Sequence, residues 1–539
     1  MSDPERIPSY TRRRFLSQTA YSLLGVGGSA LLGGYPAMAQ KSDQCANWGS
    51  LPDSTAGGTP AGSIAQWSCD NHGGYKILEI WLDGGASPWE TFWFPDADDS
   101  VDEVAMSLAN LPLDDIEWAG GSTPEDPCDT ADIPSSFSDM ANFGVSASNH
   151  QIYWGPAAKP LWSRDDIFDR CRMVTLAHHL LPHQAAWPYA LAGLPLGNLR
   201  RAGTGAAVQR RQMAINPGNV VQSSYVIHPR RDDVADSAAA TGAHPGSARP
   251  LTVSIEAAQS FANQLARDGV SPESDALYDA LRHGYFDRMR WGGLDLPVRS
   301  QGFGSYRVAS ELLLGATTLQ DIFSADNLAL DSYPAICPAI GTPQYTQSPF
   351  FKLELDAAAR LLSEDLARYV CVVDKGITGL HDTHSDTHLL LTCGNLLDVS
   401  RRLAAIIMHT DNPDGTIDLD DTLVVINSEF GRTPTFQSIS GNPGFGRNHW
   451  PFGYTTILIG GPIAAGSRGI RGGFDAQGAA LPEHQYSPTD MRAALLLAAG
   501  IDPFAPDTFR IGEFSPALSR GENTRPFIRD RLADVFFGV

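Results

Sequence analysis

Short apolar runs alternate with stretches of helical periodicity along this chain, and that alternation restricts it to the α/β class. Tyr75 to Leu82, Cys171 to Ala177, Tyr369 to Val373, Thr422 to Ile426 and Tyr454 to Ile459 read as strands. Phe351 to Ala367 and about Leu389 to Met408 carry apolar residues at helical spacing. Strands apolar on both sides, separated by helices, imply a largely parallel sheet covered on both faces. In such a sheet, polar residues just past the strand C-termini converge on one crevice. Here those positions hold His178, His179, His183, His381, His384 and His388 and several carboxylates.

Outside this region the sequence reads differently. Thr11-Arg12-Arg13-Arg14-Phe15-Leu16 precedes an uncharged, glycine-diluted stretch from Thr19 to Ala39 that ends in Ala37-Met38-Ala39. This order of basic start, weak apolar core and small-residue cleavage site predicts a twin-arginine signal peptide over residues 1–39. The expected partners in export are the twin-arginine translocase and a signal peptidase. No later window has the length and apolarity of a membrane span, so the mature chain is expected without a transmembrane anchor, periplasmic or extracellular. Residues 40–74 form a Gly/Ser-rich extension, and an acidic insertion covers about 95–165. Residues of about 195–250 read as loop-like, with arginine pairs at Arg200/Arg201, Arg210/Arg211 and Arg230/Arg231. A formal net charge of −22 argues against a nucleic-acid partner. The 7 cysteines show no C-x-x-C spacing, which argues against a zinc ribbon. Cys45 and Cys69 are a candidate disulfide, whereas Cys171 and Cys371 fall in apolar runs that read as buried strands.

The densest chemistry lies in His381-Asp382-Thr383-His384-Ser385-Asp386-Thr387-His388, where imidazoles and carboxylates alternate after a strand. Such a mixture of nitrogen and oxygen donors suits a divalent ion such as Zn or Mn; a solvated, capped helix start is the competing reading. Glu429 follows a buried strand, so its carboxylate needs a cation or several donors, and Arg432 is a candidate for the first. His449 follows a glycine-containing loop, and Asp83 ends the first strand. These separated groups point to a divalent metal site, with Zn, Mn, Ca and Mg all open.

Asp83-Gly84-Gly85-Ala86-Ser87, His381-Asp382-Thr383-His384, Ser428-Glu429-Phe430-Gly431-Arg432-Thr433-Pro434, Arg447-Asn448-His449-Trp450, Gly472-Gly473-Phe474-Asp475 and Ser487-Pro488-Thr489-Asp490 occur in that order. In order and spacing the chain resembles the bacterial secreted family called domain of unknown function 1501, over most of residues 75–503. That family is grouped with the alkaline phosphatase and sulfatase superfamily. The resemblance implies a three-layer α/β/α sandwich over residues 75–539 and metal-dependent hydrolysis of phosphate or sulfate esters, with a small-molecule or glycan ester as substrate. It implies metal ligands at Asp83, Asp382, His384 or Asp386, Glu429 and His449. The helix-opening position where the superfamily carries its nucleophile holds His183, and Phe430 stands where many members carry a histidine.

His183 is therefore expected as a covalent nucleophile, a ligand or a general base. Ser87 is a substitute nucleophile or a turn-forming serine, and metal-activated water is a third route. Arg432 is a further candidate catalytic group. The competing expectation is a non-catalytic exported protein that keeps the fold and uses the crevice to bind a glycan or a protein.

Overall fold

The computed structural model describes residues 74–95, 140–198, 202–215, 221–229, 247–265, 301–314, 316–324, 350–376, 381–382, 384, 388–410, 412–413, 415–436, 446–504 and 525–537, with short pieces between. The expected signal peptide, nearly all of the N-terminal extension, the acidic run 96–139, Cys45, Cys69 and Asp386 lie outside the described residues.

The apolar runs do form one sheet. Its strands are β1 (Lys76–Leu82), β2 (Cys171–Leu176), β3 (Ser224–His228), β4 (Leu251–Ser254), β5 (Tyr369–Asp374), β6 (Thr422–Asn427), β7 (Tyr454–Gly460) and β8 (Gly469–Arg471). They lie in the order β8-β2-β7-β6-β1-β5-β3-β4 in an 8-stranded sheet. All neighbours are parallel except where β7 runs against both β2 and β6. The reversal has a consequence for function. The start of β7, not its end, lies beside the C-termini of the parallel strands, so the residues leading into it reach the crevice.

Alternation along the strands divides the core. Leu78, Ile80 and Leu82 of β1 face one layer, with α3 (Phe350–Ser363) and α4 (His388–Ile406) packed on it. Ile77 and Trp81 face the other, covered by α1 (His183–Ala192), α2 (Thr204–Ile215), α5 (Pro488–Ala498) and α6 (Arg525–Phe537). Cys171 and Cys371 are buried strand residues that form no disulfide among the described residues.

The stretch from about 195 to 250 departs from its loop-like reading, since it contains α2 and the sheet strand β3. Polar residues mask α2 in the sequence: Gln209 and Arg210 interrupt it, and its contact surface is made by Gly205, Ala206, Ala207 and Val208. The described end of the acidic insertion folds as well. Residues 141–145 and 151–154 pair antiparallel, join Phe94–Pro95, and bury Phe143 stacked on Trp154 with ring centroids 4.9 Å apart.

On the α1/α5 side, Glu79 points from β1 into the helical layer. Both its oxygens meet the Arg492 guanidinium at 2.6 Å, and the Tyr369 hydroxyl donates to it at 2.6 Å. The segment Ser487-Pro488-Thr489-Asp490 is explained by structure alone: Ser487 and Asp490 form a capping box at the start of α5. Thr489 donates to the Gly193 carbonyl at 2.6 Å, fastening α5 to the end of α1.

Candidate metal centre

Four chain segments meet at the C-terminal edge of the parallel strands. β1 exits through Gly84 and Gly85, both at positive φ (116° and 87°). A Cβ on Gly84 would lie 2.4 Å from the Asp382 amide nitrogen, and one on Gly85 2.5 Å from the Phe430 ring. Only glycine meets both demands, and its absence of a side chain is what lets the loop after β5 come this close. His381 anchors that loop: its amide donates to the Asp83 carbonyl at 3.0 Å and its ring bonds Asp374 at 2.8 Å. After β6, Gly431 and Arg432 pair antiparallel with Trp450 and His449, which sets His449 across from Arg432. After β2, Pro182 is the N-cap of α1 and His183 is its first residue.

His183, Asp382 and His449 each place one ligand-type atom within 4.8 Å of the other two. The side chains of His183, His449 and Asp382 are 15%, 20% and 28% exposed, so the group is reachable from solvent. Nδ1 of His183 faces Glu429 Oε1 at 2.8 Å. Nε2 of His183 is buried without a hydrogen-bond partner, and Asp382 Oδ2 lies 3.5 Å away. Nδ1 of His449 donates to the Leu181 carbonyl at 3.0 Å, and its Nε2 lies 3.0 Å from His384 Nε2 and 3.5 Å from Asp382 Oδ1. Two imidazoles held through Nδ1 beside a carboxylate make a group that could hold a metal ion.

Asp382 is held from several sides. Its Oδ1 accepts from Arg432 at 2.5 Å and lies 2.9 Å from His384 Nε2 and 3.5 Å from His449 Nε2. Burial alone would raise its pKa, but His183, His384 and His449 together with the Arg432 charge hold it far below the usual carboxylate range. Burial likewise opposes a charge on His183, yet Asp382 and Glu429 outweigh it and raise the ring to about 9.

The other expected site residues sit differently. Glu429 is fully buried and accepts from Gly84 N at 2.9 Å and Ser428 Oγ at 3.2 Å as well as facing His183, so donors satisfy it. It supports His183 and is outside the group of three. Asp83 is ion-paired with Lys375 at 3.0 Å. Arg432 is buried, and its guanidinium is aimed at the Gly84, Gly85 and His381 carbonyls and at Asp382. It positions Asp382. Ser87 is buried and donates to Glu90, which in turn pairs with the buried Arg447. Arg447 also donates to the Thr433 and Pro434 carbonyls, pinning the segment that carries His449.

In the sequence reading His178 has a place behind the ligands or on the surface. It is buried, its Nε2 donates to the Glu429 carbonyl at 2.6 Å, and the Leu180 amide donates to its Nδ1 at 3.0 Å. It thereby fixes both the Glu429 backbone and the turn leading to His183. Its position two residues beyond β2, in a loop that ends at another histidine, was the available signal.

The fold and site define a mixed α/β protein with a large, mostly parallel sheet and a group of residues at its strand ends that could hold a metal ion. Residues 343–508 match the model of a family described as a protein of unknown function (DUF1501), which supports the resemblance found in the sequence. The match includes Asp382, His384, Glu429, Arg432 and His449, whereas His183 and Asp83 lie before it. No curated protein matches the chain.

Proposed function

We propose that the chain is an exported, metal-dependent hydrolase of phosphate or sulfate esters that uses activated water in place of a side-chain nucleophile. The observation that carries the metal reading is the buried His183 Nε2, which has no hydrogen-bond partner, beside Asp382 and His449. Two imidazoles and one carboxylate favour Zn or Mn over Ca or Mg, which prefer oxygen donors. A divalent ion bound there would polarise an ester oxygen and activate water.

The protein groups around it have separable tasks. With an ion bound, Glu429 would hold the proton on His183 Nδ1 while Nε2 gives its lone pair to the ion. A ring engaged at both nitrogens has no electron pair left for covalent attack, which argues against His183 as nucleophile or base. The burial of Ser87 and its bond to Glu90 support its turn-forming reading over that of a nucleophile. Arg432 orients Asp382 and has its donors occupied by protein oxygens. The choice of phosphate or sulfate esters rests on the family resemblance, and export rests on the arginine-containing N-terminus.

The test is turnover of aryl phosphate and aryl sulfate esters by the purified chain, with and without chelator, beside Asp382→Asn. Metal-dependent turnover that the substitution lowers by at least about 100-fold is expected. Stoichiometric metal with no turnover of either ester would sink the hydrolase and favour a binding protein that retains the fold.

A further inference from the structure

We infer that this centre takes one ion only, because the Arg432 guanidinium already occupies the cation position on the far side of Asp382. The inference rests on the metal reading above and concerns the number of ions and the part played by His384. The two oxygens of Asp382 have different surroundings. Oδ2 looks toward His183 Nε2 at 3.5 Å. Oδ1 looks toward Arg432 at 2.5 Å and His384 Nε2 at 2.9 Å, with His449 Nε2 farther off at 3.5 Å.

A second ion bridging Asp382 Oδ1 and His384 Nε2 would have to lie between those atoms. Nη1 of Arg432 is already 3.3 Å from His384 Nε2, and Nη2 is on Oδ1. At ordinary coordination distances of roughly 2.0–2.2 Å the ion would press against a permanent positive charge. The guanidinium is also confined: Nε donates to the Gly85 carbonyl at 2.7 Å, Nη2 also meets the Gly84 carbonyl, and the side chain is fully buried. Release of Arg432 would strand those carbonyls and a buried charge.

His384 then has a different part. Its Nε2 lies 2.9 Å from Asp382 Oδ1, 3.0 Å from His449 Nε2 and 3.3 Å from Arg432 Nη1, on the guanidinium side of Asp382 and outside the group of three. His384 is a positioning residue that holds Asp382 Oδ1 beside Arg432, while His183 and His449 face the ion with Asp382.

The experiment is a Co²⁺ titration of the metal-free full chain followed by visible absorption, with elemental analysis after dialysis and the Mn²⁺ form examined by electron paramagnetic resonance. His183→Asn and His384→Asn are treated alongside, with circular dichroism to establish that each is folded. One equivalent per chain and an isolated-ion Mn²⁺ spectrum are expected. His384→Asn should keep one equivalent with affinity reduced about 10–100-fold, and folded His183→Asn should lose the ion. Two equivalents, a coupled Mn²⁺ pair, or loss of the ion from His384→Asn with retention in His183→Asn would overturn the inference while leaving a metal protein. No binding of either ion by the folded wild-type chain would overturn the metal reading itself, and the inference with it.

Discussion

At the scale of single residues, the centre is controlled by groups that would not touch an ion. Glu429 fixes which nitrogen of His183 carries the proton, so Glu429→Gln should lower Zn affinity about 10–100-fold without changing stoichiometry, as read by chelator competition. His178 offers a separate test. Burial pushes its pKa down to about 4; the bond to the Glu429 carbonyl works the other way, and neighbouring His179 adds to the lowering. Tyr189 and Tyr454 pack edge-on against its ring, and protonation at Nδ1 would break the bond from the Leu180 amide. The unfolded chain binds this proton near pH 6.5 and the folded chain only near about 4. The stabilisation is therefore complete above 6.5 and is lost as pH falls toward 4, an effect on the order of 3 kcal/mol. Denaturant titrations of wild type and His178→Asn across that window should show a shallower fall in the variant. Equal slopes would contradict a neutral, buried His178.

At the scale of elements, the strands were legible because each is a short apolar run ended by polar or glycine residues. Direction was not legible, since apolar composition is the same read either way. The reversed course of β7 is why His449 enters the crevice from before its strand, whereas Asp83, Asp382 and Glu429 enter from behind theirs. The need of Glu429 for partners was readable from the burial of β6; that two of them are Gly84 and His183 depends on contacts 345 and 246 residues distant. The sequence also pointed to His183 as an oddity at a helix start, without separating nucleophile from ligand. Two changes test the elements. Gly84→Ala imposes a side chain at φ 116° and drives Cβ into the loop of Asp382, so it should cost about 1–3 kcal/mol and weaken metal binding together. Arg492→Leu leaves Glu79 charged in the layer between β1 and α5, with an expected loss of about 3–5 kcal/mol in urea unfolding. A loss below about 1 kcal/mol would mean that Glu79 finds water or a proton readily.

At the scale of the whole molecule, a single sheet gathers residues from early, middle and late sequence at one edge, and its two covered faces give that edge a rigid base. The proposed export also belongs to the scale of the whole chain. Replacement of Arg12 and Arg13 by lysine should leave precursor in the cytoplasm, as read by fractionation; unchanged export would exclude the twin-arginine route. The central claim is that His183, Asp382 and His449 jointly hold an ion. Its most direct test is elemental analysis of the purified, folded chain grown with Zn and Mn in excess, beside His183→Asn and Asp382→Asn. The account predicts one divalent ion per chain in the wild type and loss of most of it in both folded variants; a metal-free wild type, or variants that keep the full complement, would contradict it.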